Sequence, residues 1–202
     1  MSTITHPELI SRLEGKEPTK ELVVTPILSR TQIGDASIDV RLGNQFIVFR
    51  THMLGAFRPS GTLPAHLRKM QEREVVRFGA TFVLHPGMLA LASTFEYLAL
   101  PGDLECQVEG RSSWARLGLQ IATANSVEPG FRGVLTLELS NVGTIPVEIC
   151  PGVRIAQLIF RNASPVLEAP YAGKRKYICP VGPEFSRIDQ DKDAAVFYGE
   201  AP

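Results

Sequence analysis

Val134-Leu135-Thr136-Leu137-Glu138-Leu139-Ser140 puts Leu135, Leu137 and Leu139 on one side. Val134, Thr136, Glu138 and Ser140 fall on the other, the period of two that a strand with one packed face requires. The stretch is a strand, and it leaves one carboxylate, Glu138, on the polar side. Asn141-Val142-Gly143 turns the chain, and Pro146–Ile149, Pro151-Gly152 and Val153–Phe160 continue in short β units.

The same rhythm extends toward the N-terminus. Val75–Phe78, Thr81–Leu84, Leu89–Thr94 and Glu96–Leu100 read as strands, separated by His85-Pro86-Gly87 and Pro101-Gly102-Asp103. Ala36 to Gly43 alternates strictly, with Ile38, Val40 and Leu42 against Ser37, Asp39 and Arg41, and Asn44–Phe49 continues it after a bend. Regular short strands with Pro-Gly turns predict a mainly β barrel or sandwich. Helix is expected at the N-terminus, where Thr5 and Glu8 make a capping box ahead of Leu9, Ile10 and Leu13 and Gly15 ends the run. Thr51 to Arg73 reads as an excursion with one helix beginning near Pro64.

Between the strands sits Gly110-Arg111-Ser112-Ser113-Trp114-Ala115-Arg116-Leu117-Gly118. Glycine brackets two arginines and two adjacent hydroxyls. If the middle forms a helical turn, its first N–H groups point toward any anion placed there, and the planar guanidinium fork suits phosphate oxygens.

Composition narrows the class. The 202 residues are 44% hydrophobic, enough for a core, and carry 21 basic and 21 acidic side chains. A balanced charge argues against a nucleic-acid partner or an anionic membrane. No apolar run is long enough to span a bilayer and no signal peptide is evident. Cys106, Cys150 and Cys179 are isolated, as in a reducing compartment, so a soluble cytoplasmic protein is expected. Residues 1–168 read as one domain. Residues 169–202, rich in Pro, Gly and charge, read as a tail that orders on a ligand or a neighbouring subunit.

Ala36 to Gly43, Gly110 to Gly118, Pro129-Gly130-Phe131-x-Gly133, Thr136-Leu137-Glu138-Leu139-x-Asn141 and the tail blocks Tyr171, Lys176-Tyr177 and Ser186-Arg187-Ile188 together resemble the dCTP deaminase family. The resemblance covers almost the whole chain in order. It implies a dUTPase-like fold, a β-clip within a distorted barrel carrying a short N-terminal helix and few others. It also implies a homotrimer with active sites between subunits, a tail closing over the nucleotide, and magnesium carried on the triphosphate.

Deamination at C4 of cytosine needs an activated water and a proton for the ring and the leaving amine. Zinc deaminases use H-x-E and P-C-x-x-C ligand sets, which this chain lacks. A zinc-free route needs an enclosed carboxylate with a raised pKa, and Glu138 is the candidate general acid/base. The resemblance places Ser112 and Arg116 around the attacking water and Arg111 and Ser113 on the phosphates. It assigns Ala124, Glu128, Phe131, Thr136, Leu137, Tyr171 and Lys176 to the rest of the nucleotide, and dTTP is a candidate inhibitor.

Three departures from the family pattern bear on substrate. Glu128 stands in Val127-Glu128-Pro129-Gly130 where the family usually has Asp, expected on the sugar 3′-hydroxyl. Asn125 stands where single-function members tend to carry His and two-function members Gly, and the loop between Arg116 and Glu128 looks about one residue short. Cys179 and Pro180 fall near the place of a tail glutamine. The favoured activity is dCTP to dUTP and ammonia. The alternatives are a dUTPase or a bifunctional enzyme forming dUMP and pyrophosphate, in which Glu128 would activate water and Phe131 would stack under the sugar, or a silent nucleotide-binding trimer.

Overall fold

The computed structural model describes residues 2–50, 70–121, 126–164, 176–191 and 193. A helix, α1 (His6–Leu13), leads into β1 (Val23–Thr25), β2 (Ile38–Phe49), β3 (Gln71–Val75), β4 (Phe82–Leu84), β5 (Leu89–Ala99) and β6 (Leu104–Gly110). A single helical turn, α2 (Ser112–Ala115), precedes β7 (Leu119–Ile121), β8 (Ser126–Val127), β9 (Arg132–Asn141), β10 (Val147–Ile149) and β11 (Arg154–Asn162). The main sheet runs β7-β9-β5-β2-β11-β6-β8, with β1 added beside β5 and β3 beside β2, while β10 pairs with β4. This is the expected mainly β architecture with few short helices.

The alternation read from the sequence is what builds the core. Ile38, Val40 and Leu42 of β2 and Leu137 and Leu139 of β9 are fully buried and belong to one hydrophobic cluster. Phe46 stacks on Phe82 within it, ring centroids 4.2 Å apart.

Asn44–Phe49 continues the Ala36–Gly43 strand as expected, in β2, through Gly43, where a Cβ would stand 2.9 Å from the Ser93 hydroxyl oxygen and 3.0 Å from the Ser93 carbonyl oxygen. Only glycine lets the two backbones pass, and the β2–β5 register shifts there between Leu42 and Phe46. Leu89–Thr94 and Glu96–Leu100, expected as two strands, form one, bent by a register shift against β9 between Ser93 and Tyr97.

Other expectations are corrected. Val75–Phe78 is not a strand; Gln71–Val75 is, an edge strand whose charged residues pair with β2 by backbone, while Val75 and Phe78 are exposed. Backbone pairing, not an apolar stripe, decides an edge. The expected helix near Pro64 lies outside the described residues. Thr5 does stand before α1, yet its side chain caps nothing, and Glu8 bonds to Arg12 at 3.1 Å instead of closing a capping box. Arg12 is in turn anchored on Asp103 at 2.8 Å, which draws Glu8 down the helix.

Part of the tail packs on its own chain. Pro180 accepts the Val134 N–H at 2.8 Å, the Thr136 hydroxyl oxygen accepts the Glu184 N–H at 3.2 Å, and Arg73 lies over the Phe185 ring at 4.9 Å. Among the described residues no helix is long and apolar enough to cross a membrane.

Candidate active site

Glu138 sits at the middle of β9, directly opposite Leu91 of β5. Its half-buried carboxylate has no hydrogen-bond or ion-pair partner among the described residues, and burial alone raises its pKa above the usual carboxylate range. A carboxyl desolvated but uncommitted keeps its proton to higher pH than an exposed one, which suits general acid/base work. Thr136, two residues earlier on the same face, is taken by the Glu184 N–H, so the tail passes beside the carboxylate.

The second group of candidates is carried by α2. The Arg111 carbonyl accepts from the N–H groups of Trp114 and Ala115, at 3.0 and 3.1 Å, leaving the Ser112 and Ser113 amides at the open start of the turn. Ser112, Ser113 and Arg116 are exposed, and Arg116 has no ion-pair partner among the described residues. The turn ends at Gly118, with φ +90°. Its carbonyl accepts the Val142 N–H at 2.9 Å, and a Cβ on it would lie 2.7 Å from the Gly143 backbone. Gly118→Ala is therefore expected to cost roughly 1–3 kcal/mol of stability by chemical denaturation, whereas a wild-type midpoint would show that the Gly118–Gly143 contact yields freely.

That anchor ties the end of the turn to the end of β9. Val142 lies four residues beyond Glu138, about 14 Å along an extended strand. Among the described residues, no hydrogen bond or ion pair joins Glu138 to Ser112 or Arg116.

Arg111 is oriented by residues that sequence reasoning did not single out. Its Nε stands 3.6 Å from Asp39 Oδ1, and Arg154 Nη1 stands 3.3 Å from Asp39 Oδ2. The Arg154 carbonyl accepts both from Arg111 Nη1 at 3.3 Å and from the Trp114 indole N–H at 2.9 Å. One carboxylate between two half-exposed guanidiniums leaves net positive charge, the electrostatics of an anion site. The signal was present in the polar side of the Ser37-Asp39-Arg41 alternation, but nothing in the sequence pairs it with Arg154.

The remaining candidates divide. Glu128 follows β8 in a turn closed by Phe131 N–H to its carbonyl, 3.2 Å. Phe131 and Leu137 belong to the buried core, so they have little or no side-chain surface for a sugar. The Lys176 ammonium is paired with Asp191, and its carbonyl accepts from Arg187. Ala124, Asn125 and Tyr171 lie outside the described residues. Asn141 proves structural: buried, it donates to the carbonyls of Leu84 and Ile145, each at 2.8 Å, and clasps the turn after β9.

Among the described residues no three His, Cys, Asp or Glu side chains gather as a metal site. The Asp39 cluster carries an excess of arginine, so it suits a triphosphate better than a bare cation, and a magnesium ion would fit here only as part of its nucleotide complex.

Residues 7–163 match the family described as dCTP deaminase-like. The chain is 39% identical over 182 residues to a dCTP deaminase, dUMP-forming, of Methanobrevibacter smithii, covering 88% of this chain and 90% of that one. It is 38% identical over 189 residues to a dCTP deaminase of Haloarcula marismortui, covering 92% and 94%. The fold is shared with the 2′-deoxycytidine 5′-triphosphate deaminase of Agrobacterium tumefaciens, at a TM-score of 0.60 and 24% identity over 80% of this chain and 48% of that one. With the family match spanning most of the sheet and both groups of candidate residues, the chain belongs to the dCTP deaminase family.

Proposed function

We propose that this protein hydrolyses dCTP to dUTP and ammonia in the cytoplasm, as a homotrimer, without zinc and with Glu138 as general acid/base. The observation that carries the reading is the half-buried, uncommitted carboxylate of Glu138 with its raised pKa. In this chemistry Glu138 takes a proton from water as the oxygen attacks C4 and passes it to the ring nitrogen N3. A second proton moves from the new hydroxyl to the amine, the C4–N4 bond breaks, and ammonia leaves behind a C4 carbonyl. Ser112 orients the water, Arg116 steadies the developing negative charge, and Arg111 with Ser113 binds the triphosphate. Magnesium neutralises phosphate charge when it arrives with the nucleotide. Ser112 and Arg116 of one subunit meet Glu138 of the next, which accounts for their separation within the chain.

A second reading has its own support, because relatives of nearly equal identity are named both with and without dUMP formation. In that case the same site also cleaves the triphosphate, with Glu128 activating water at the α-phosphate. One assay decides: incubation with dCTP or dUTP and magnesium, resolving ammonia, dUTP, dUMP and pyrophosphate. Ammonia with dUTP alone is the expected result from dCTP. Glu128→Ala is expected to weaken the use of dCTP by roughly 10- to 150-fold in kcat/KM, the loss of a charged hydrogen bond. If Glu128→Ala instead abolishes dUMP while sparing ammonia, the bifunctional reading is correct. No product from either nucleotide would leave a silent binding protein.

A further inference from the structure

Glu96 is a fully buried carboxylate that the proposed chemistry does not use. It lies where β5 changes partners: Leu42↔Thr94 ends the ladder with β2, and β1 takes over at Tyr97. Beyond that last pair, the Arg41 N–H has Glu96 Oε2 as its acceptor at 2.7 Å. Glu96 Oε1 accepts from Gln32 Nε2 at 3.0 Å, and the same nitrogen donates to the Asp39 carbonyl at 3.1 Å. Gln32 is itself buried and held by the Leu28 and Ser29 N–H groups, at 2.9 and 3.2 Å. The backbone of residues 39–41 is thus gripped at both ends from inside the sheet. Arg41 adds a third hold by donating to the Gly152 carbonyl at 2.9 Å, just before Arg154.

We infer that Glu96 is a positioning residue for anion binding: through Gln32 and the Arg41 amide it holds Asp39 where its carboxylate aims Arg111 and Arg154. The geometry favours this over a purely cohesive role. A buried carboxylate is costly in a core that apolar side chains could fill, and here its two donors from elsewhere in the chain are the Arg41 amide and Gln32 Nε2, the latter also bonded to the Asp39 carbonyl. This rests on the reading of the Arg111 cluster as the phosphate site.

The test is the affinity of the full-length protein for inorganic triphosphate with magnesium, measured by calorimetry. Glu96→Gln puts an amide N–H₂ against one of two donors, the Arg41 amide or Gln32, and one grip must open. Triphosphate is expected to bind about tenfold more weakly. In an Asp39→Asn background the same change is expected to add nothing further, because both act through one carboxylate. Gln32→Ala, which removes the other arm, provides a second route should Glu96→Gln fail to fold, with the same weakening expected. A lowered melting temperature with unchanged triphosphate affinity in either variant, or full additivity with Asp39→Asn, would reduce Glu96 to a stabilising residue and overturn the inference. If the unmodified protein binds neither triphosphate nor dCTP, the phosphate-site reading itself fails, and with it the basis for this role.

Discussion

Glu138→Gln is expected to lower dCTP deamination by at least roughly 10²–10⁴-fold, the usual worth of a positioned acid/base, while making the protein more stable at pH above the group's raised folded pKa. The two effects share a cause. Burial raises the Glu138 pKa, so the folded chain holds this proton more tightly than the unfolded chain does. The group's contribution to stability is greatest below the unfolded value and is lost as pH rises through the higher folded value. Once ionised, the carboxylate bears a desolvation cost that the isosteric amide does not. Thermal melts across pH should show the native protein falling behind the variant as pH climbs through that interval. Nucleotide affinity should change little. A variant that retained substantial ammonia release would make Glu138 a strand residue only, and one less stable than the native protein at every pH would refute the desolvation account.

Arg116→Ala is expected to cost about 10²–10³-fold in kcat, the loss seen when one preorganised charge-stabilising donor is removed. The more telling result is complementation. The turn carrying Arg116 is tied at Gly118 to Val142, well beyond Glu138 on β9. If sites form between subunits, a chain lacking Arg116 can still lend its Glu138 to a neighbour lacking Glu138. Co-refolding Arg116→Ala with Glu138→Gln in equal amounts should then restore roughly a quarter of native activity, the share of sites that random assembly in a cyclic oligomer leaves intact. Each variant alone should remain nearly inactive. Mixtures no better than either parent would show that both residues serve one site within one chain and would remove the reason for a shared site.

Much of this was legible in the residues because strands and turns are local. Period-two alternation in Ala36–Gly43 and Val134–Ser140 set which face each strand buries, and Glu138 emerged as the carboxylate on a polar face. Edge strands were not legible: Gln71–Val75 pairs through backbone groups, which every residue has, so its charged residues through Arg73 were read into the helical excursion. Continuity was lost for a related reason. A bulge in β5 interrupts the pattern without interrupting the strand.

By itself the sequence determined the mainly β class, the short turn between Gly110 and Gly118, and the residue types able to handle a proton and a phosphate. These follow from side-chain periodicity and chemistry, which neighbouring residues carry. Only the tertiary structure decided that Asp39 and Arg154 orient Arg111, that Glu96 and Gln32 hold Asp39 from within, that Phe131 belongs to the core, and that the described tail rests beside Thr136. Apart from the Gln32–Asp39 link, these join residues tens of positions apart through the pairing order of the sheet, and that order depends on every strand at once, not on the pattern of any one.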